Sequence, residues 1–200
     1  FIENKAFKNA RTNNEEQIII FYGRLNVLKG LITATKAMKQ ILNYNPAWKW
    51  IIVGNDGTAA DGKTSMKHWM QNNLKEQLPQ VEFYDTVAYE AIPLYLHQAS
   101  IVLIPSLFES YSYVTIEAML AGKAIVGSQK TGIASLIKNN VTGILVNAYQ
   151  INEWVKNIPP QYKAQILAID DKYPLPAQQL SSQWVSCQDR MKRLYSITKN

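Results

Sequence analysis

The chain has little of what covalent or metal-built scaffolds need. Cys187 is the single cysteine in 200 residues, so no internal disulfide can form and a reducing cytoplasm is the default compartment. The two histidines, His68 and His97, stand apart, and each reads as a surface or packing residue of a helix. Asp56, Asp61, Asp85, Asp170, Asp171 and Asp189 include no pair two residues apart, so no Asp-x-Asp metal site is present. No Gly-x-Gly-x-x-Gly occurs, which argues against a nicotinamide-binding dehydrogenase, and no Gly-Lys-Ser/Thr closes a Walker-type phosphate loop. Apolar runs fall short of the roughly 18 residues of a membrane span. Internal repeats and low-complexity tracts are missing as well. Phe1 rather than Met opens the chain, and the expectation is a piece of something longer.

What is present belongs to an ordinary globular protein, with 47% hydrophobic and 18% charged residues, enough for one domain with a sizeable core. A net charge of +6 favours an anionic partner: nucleic acid, an acidic membrane surface or a phosphorylated small molecule. The basic residues are spread out, with Arg190, Lys192 and Arg193 the nearest to a cluster. No nucleic-acid-binding motif accompanies them, so no nucleic acid partner is expected.

Gln17-Ile18-Ile19-Ile20-Phe21-Tyr22 reads as a buried strand closed by Gly23. Apolar residues at helical spacing predict an amphipathic helix over residues 28–42, broken by Asn43 to Pro46. A strand over 48–53, a more polar helix over 61–78, a short strand over 81–84 and a helix over 89–98 follow. The run Ile101-Val102-Leu103-Ile104 is another strand, stopped by Pro105 and Ser106. A loop then leads into a helix over 115–120 that Gly122 ends. Strands over 123–127 and 143–146 flank a short helix over 133–138. Such alternation of strand and helix predicts an α/β doubly wound parallel sheet, Rossmann-like. Further helices are expected over 151–157, 161–169 and 178–198. Residues 1–16 read as a linker arm, 17–177 as the domain and 178–200 as a C-terminal helical extension.

Pro105-Ser106, Glu109, Glu117-Ala118-Met119, Gly122 and Ala124-Ile125-Val126 stand together in one stretch. That order resembles the paired-glutamate motif of the retaining GT-B glycosyltransferases of the family 4, or group 1, type, which build bacterial polysaccharides. The likeness runs from Ile18 to Val146. It departs at Ser110 and Ser112, where the family commonly has glycines, at Tyr111 in place of Phe, and at Asp85 in place of Gly. The resemblance implies the carboxy-terminal, nucleotide-sugar-binding domain of a two-domain enzyme. Its acceptor-binding amino-terminal domain would lie outside this sequence, leaving the fragment inactive alone.

Arg24 and Lys29 follow the first strand, and two cations at the carboxyl end of a parallel strand beside a helix start form an anion site. Taken alone, such a pair is more often simply solvated. By the resemblance, Arg24 and Lys29 grip the donor pyrophosphate and Glu109 contacts the transferred sugar, so these three are the catalytic candidates. Glu117 is implied to accept from both ribose hydroxyls, which a carboxylate can do at once. Gly23, Ser110, Tyr111, Ser112 and Tyr113 are implied to line the sugar and phosphates, and Val87 and Tyr89 the nucleobase. Without the motif, Glu117 reads as an exposed helix carboxylate and Glu109 as a loop or capping residue.

Asn55-Asp56-Gly57 reads as a turn. No metal and no cofactor are expected, a UDP- or GDP-linked sugar being the substrate and a glycan or lipid-linked acceptor the partner. A cytoplasmic site of action, at the inner face of a membrane, fits the positive charge. Two alternatives stay open: a GT-B nucleotide-sugar epimerase, which lacks this glutamate pair, and a non-catalytic sugar-nucleotide-binding module, which would bind without turnover.

Overall fold

A computed structural model describes residues 17–110, 112–129 and 131–158. The arm over 1–16, Tyr111 and the helices expected over 161–169 and 178–198 lie outside the described residues.

The strands are β1 (Gln17–Tyr22), β2 (Trp48–Val53), β3 (Val81–Tyr84), β4 (Ile101–Ile104), β5 (Ala124–Ser128) and β6 (Ile144–Val146). They form one six-stranded sheet in the order β3-β2-β1-β4-β5-β6, and its pairings are parallel. β4 and β5 are buried throughout, which a parallel sheet covered on both faces requires and which their aliphatic composition supplies. The helices are α1 (Leu31–Tyr44), α2 (Met66–Asn73), α3 (Ile92–Gln98), α4 (Tyr113–Leu120) and α5 (Ile151–Asn157).

On one face Ile19, Phe21, Trp50, Ile52, Leu103 and Val126 form a single core with Leu31, Ala34 and Met38 of α1, Met66 and Met70 of α2 and Trp154 of α5. On the other face Ile18, Ile20, Val102, Ile104 and Ile125 are also buried. There α3 contacts β1, and α4 contacts β4 and β5. The doubly wound α/β architecture is therefore present. After β3 the chain crosses back to lay β4 beside β1, so the strand order reverses between these two. In an open parallel sheet that reversal parts the loops at the carboxyl edge and leaves a crevice there.

Several helix limits differ from the sequence expectation, each for a local reason. The helix expected from residue 28 begins at Leu31, because Gly30 sits at φ +71° and divides a 3-10 turn, Val27–Lys29, from α1. The helix expected over 61–78 reduces to α2. Before it, the Asp61 side chain accepts from the Lys63 and Thr64 amides and closes a turn, and Ser65 caps α2 by accepting from the His68 amide. Behind α2 a 3-10 stretch, Lys75–Gln80, contains Pro79, which has no amide to donate. Residues 89–91 form a 3-10 turn ahead of α3, and the helix expected over 133–138 is a 3-10 turn over Gly132–Ser135.

Candidate functional site

Two loops meet at this switch point, residues 23–30 after β1 and 105–110 after β4. They touch through the backbone: the Leu107 amide donates to the Leu28 carbonyl at 2.8 Å, and the Phe108 amide to the same oxygen at 3.4 Å. Gly30 makes this approach possible. A Cβ at Gly30 would lie 1.8 Å from the Pro105 carbonyl oxygen, and its positive φ already disfavours any other residue. The Asn26 side chain accepts from the Lys29 amide at 3.0 Å and fixes the 3-10 turn. Held in this way, the Lys29 ammonium forms an ion pair and hydrogen bond with the Glu109 carboxylate, both groups partly buried. Glu109 is also anchored from the β5 side, its carbonyl accepting from the Gly132 amide at 2.7 Å. The loops of three strands thus meet at Glu109.

Glu117, on α4, forms a second cluster. It is 4% exposed. The Tyr22 hydroxyl, at the carboxyl end of β1, donates to its Oε2 at 2.9 Å, and the Tyr89 hydroxyl donates to Oε1 at 3.0 Å. The Tyr22 oxygen also lies 3.2 Å from the Val114 carbonyl. Burial pushes the Glu117 carboxyl above its ordinary range, and the two phenols partly offset this by donating to the ionised form. Burial, and then the nearby Glu117 charge, raise both phenols well above the usual tyrosine value. They stay protonated through the ordinary pH range, which keeps them donors. The expectation of an exposed carboxylate, for Glu117 taken alone, gives way because α4 turns this side toward β1.

The remaining predicted residues fall around these clusters. Gly23 ends β1, with its amide donating to the Val53 carbonyl at 2.9 Å. Arg24 follows it with an exposed side chain, ready for an anion but separate from the Lys29–Glu109 pair. Ser110 is exposed in the β4 loop. The Ser112 hydroxyl is buried and caps α4, accepting from the Thr115 amide at 3.2 Å, so it is turned to the helix. Tyr113 opens α4 at 41% exposure. Val87 is half-buried in the segment after β3 that delivers Tyr89. Tyr111 lies outside the described residues. Asp56 makes the expected turn, accepting from the Gly57 and Lys67 amides at 2.9 Å.

Tyr22 was not among the residues expected here. In sequence it is one more aromatic residue of a buried strand; its position last in β1, at the edge where ligands sit, was the available signal. Among the described residues no group of three or more His, Cys, Asp or Glu side chains could hold a metal ion, and no helix is long and apolar enough to cross a membrane.

Comparison with known proteins gives this geometry a family. The model of the "Glycosyl transferases group 1" family matches residues 2–196. The chain belongs to the group 1 glycosyltransferases. An uncharacterized glycosyltransferase of Methanocaldococcus jannaschii is 32% identical over 133 residues, covering 66% of this chain and 32% of that protein. The chain spans about a third of the length of the curated relatives it matches. Among solved structures, Anabaena HepE in complex with UDP and glucose superposes with a TM-score of 0.68 at 21% identity, over 96% of this chain and 52% of that one. The C-terminal domain of a group 1 glycosyltransferase, LpcC of Francisella tularensis, gives 0.68 at 19% identity over 83% of this chain and 92% of that domain. These likenesses bear out the GT-B, Rossmann-like fold.

Proposed function

We propose that this chain is the carboxy-terminal, donor-binding domain of a retaining glycosyltransferase that moves a hexose from a UDP- or GDP-linked donor to a glycan or lipid-linked acceptor. The observation that carries the reading is that both motif glutamates meet residues of β1 or the loop that follows it, where the strand order reverses: Glu109 pairs with Lys29 of the loop, and Glu117 with Tyr22 at the strand's end. The proposal is supported by HepE, a protein of the same fold that binds UDP and glucose. It is supported too by the Francisella domain, a C-terminal domain of which this chain covers 92%.

The chemistry follows from charge. Breaking the bond between sugar and diphosphate builds negative charge on the departing oxygens. Arg24 and Lys29 stand at the crevice rim to meet it, and fixed cations stabilise that developing charge more than the ground state. Before donor arrives, Glu109 neutralises Lys29. A bound diphosphate would take over the ammonium and release the Glu109 carboxylate toward the sugar. Glu117, still carrying acceptor positions beyond those the phenols fill, would receive the ribose hydroxyls. Val87 and Tyr89 would border the base, and Gly23 with the amides of Ser110, Tyr111, Ser112 and Tyr113 would line the sugar and phosphates.

No metal enters this scheme, the acceptor would come from an amino-terminal domain, and the setting would be the cytoplasmic face of a membrane. Without the acceptor domain this domain should bind donor weakly and transfer little. A thermal-shift panel of UDP, GDP, ADP and their sugars tests the reading, since a ligand that binds only the folded state raises its melting temperature. One nucleotide and its sugar should stand out. A flat panel would overturn the proposal.

A further inference from the structure

One carboxylate with two phenols on it is more than a ribose contact requires. Glu117 has two oxygens and about four acceptor positions. The Tyr22 hydroxyl takes one on Oε2 and the Tyr89 hydroxyl one on Oε1. Roughly two positions are then left, one on each oxygen, which is what a vicinal diol needs. The two phenols differ in exposure. Tyr22 is 7% exposed, on a central strand, and its oxygen also reaches the Val114 carbonyl of the helix that carries Glu117. Tyr89 is 41% exposed, on the 3-10 turn ahead of α3.

We propose that Tyr22 is a positioning residue for Glu117, its buried phenol locking the carboxylate so that the free acceptor positions face the ribose diol of a nucleoside diphosphate. This rests on the donor-binding reading above. A free carboxylate on a helix turns about its own side-chain bonds, and each extra orientation dilutes the one that can accept two hydroxyls together. Tyr22 removes that freedom from the β1 side, and Tyr89 adds a second donor from the 89–91 turn. Donation from the phenol also favours the ionised carboxylate, against the larger, opposite effect of burial. Tyr22 from β1 and Tyr89 from the 89–91 turn are the titratable groups acting on Glu117, and Glu90 in turn acts on Tyr89.

The test compares ligands with and without the diol. Binding of UDP, GDP, 2′-deoxy-UDP, 2′-deoxy-GDP and inorganic pyrophosphate to the 200-residue chain is measured by calorimetry from pH 5 to 8, for wild type, Tyr22→Phe, Glu117→Gln and the double variant. Wild type should prefer the ribose form of one nucleotide, and Tyr22→Phe should cut that preference by about tenfold, the scale of a hydrogen bond to a charged group. Pyrophosphate and the deoxy form should be nearly unaffected.

The acid limit of the preference should also move to higher pH in Tyr22→Phe, since the carboxylate has lost a donor. In the Glu117→Gln background, Tyr22→Phe should cost nothing more. Equal weakening of every ligand would make Tyr22 merely structural and overturn the inference. So would an unchanged preference and pH limit, or additive losses in the double variant. If wild type itself shows no ribose preference, or binds none of the five ligands, the donor reading fails first and this inference falls with it. A Tyr22→Phe chain that does not fold would likewise refute a role confined to Glu117, because the change removes one oxygen and leaves the ring in place.

Discussion

Gly30→Ala probes the joint on which the crevice depends, and Gly62→Ala is its control. Both glycines have nearly the same positive φ, +71° and +70°. Around Gly62 nothing lies within 4 Å of a new Cβ, whereas at Gly30 it would sit 1.8 Å from the Pro105 carbonyl oxygen. The conformational cost of a left-handed alanine, about 1–2 kcal/mol, is common to both. Only Gly30→Ala must also part the β1 and β4 loops by well over an ångström. That strains or breaks the Leu107 and Phe108 amide bonds to Leu28, each worth roughly 1 kcal/mol, and pulls Lys29 off Glu109.

Gly62→Ala should therefore cost about 1–2 kcal/mol and Gly30→Ala about 3–5 kcal/mol in urea unfolding followed by circular dichroism. Nucleoside diphosphate affinity should fall with Gly30→Ala and hold with Gly62→Ala. Equal costs for the two variants would refute the claim that interloop contact, and not φ alone, requires Gly30. A large cost with unaltered nucleotide binding would show that the joint does not set the site.

Arg24→Ala should weaken nucleoside diphosphate binding by about 1.5–3 kcal/mol in calorimetry while leaving the unfolding midpoint in place, since the side chain is exposed; a midpoint shift without loss of affinity would remove Arg24 from the anion site. Glu117 governs a pH effect. Burial raises its folded carboxyl above the ordinary 4.5, so in that window the folded chain holds the proton more tightly than the unfolded one. Stability from this group thus falls as pH rises from 4.5 through the raised value, and the deficit is complete above both. Glu117→Gln should accordingly unfold at higher urea than wild type at pH 7, with the two converging near pH 4.5; a less stable variant at pH 7 would contradict burial as the dominant influence. Excess chelator should leave nucleotide binding unchanged, and a strict need for Mg²⁺ or Mn²⁺ would break the metal-free scheme.

Strand identity was legible because a strand buried on both faces has to be written in β-branched and aliphatic residues, as in Ile18-Ile19-Ile20 and Ile101-Val102-Leu103-Ile104. Helix limits were less so. Gly30 lies inside a sound helical period, and only its packing against Pro105 shows why α1 waits until Leu31. Asp61 and Thr64 look tolerable in a helix until their side chains are seen closing a turn of their own. Of the candidate site, Arg24, Lys29, Glu109 and Glu117 could be named from motif order, but not what each one touches.

The sequence by itself determined the alternation of buried strands and amphipathic helices, hence a doubly wound sheet, and the order of the charged residues along the strand exits. These are properties of neighbours along the chain, where period and turn chemistry act. Only the tertiary structure decided that β4 returns beside β1, that Lys29 meets Glu109 across 80 residues, and that Tyr22 reaches Glu117 across 95. Those pairings follow from the crossing of the chain at the switch point. No local pattern encodes them, because the groups become neighbours only once β4 pairs with β1.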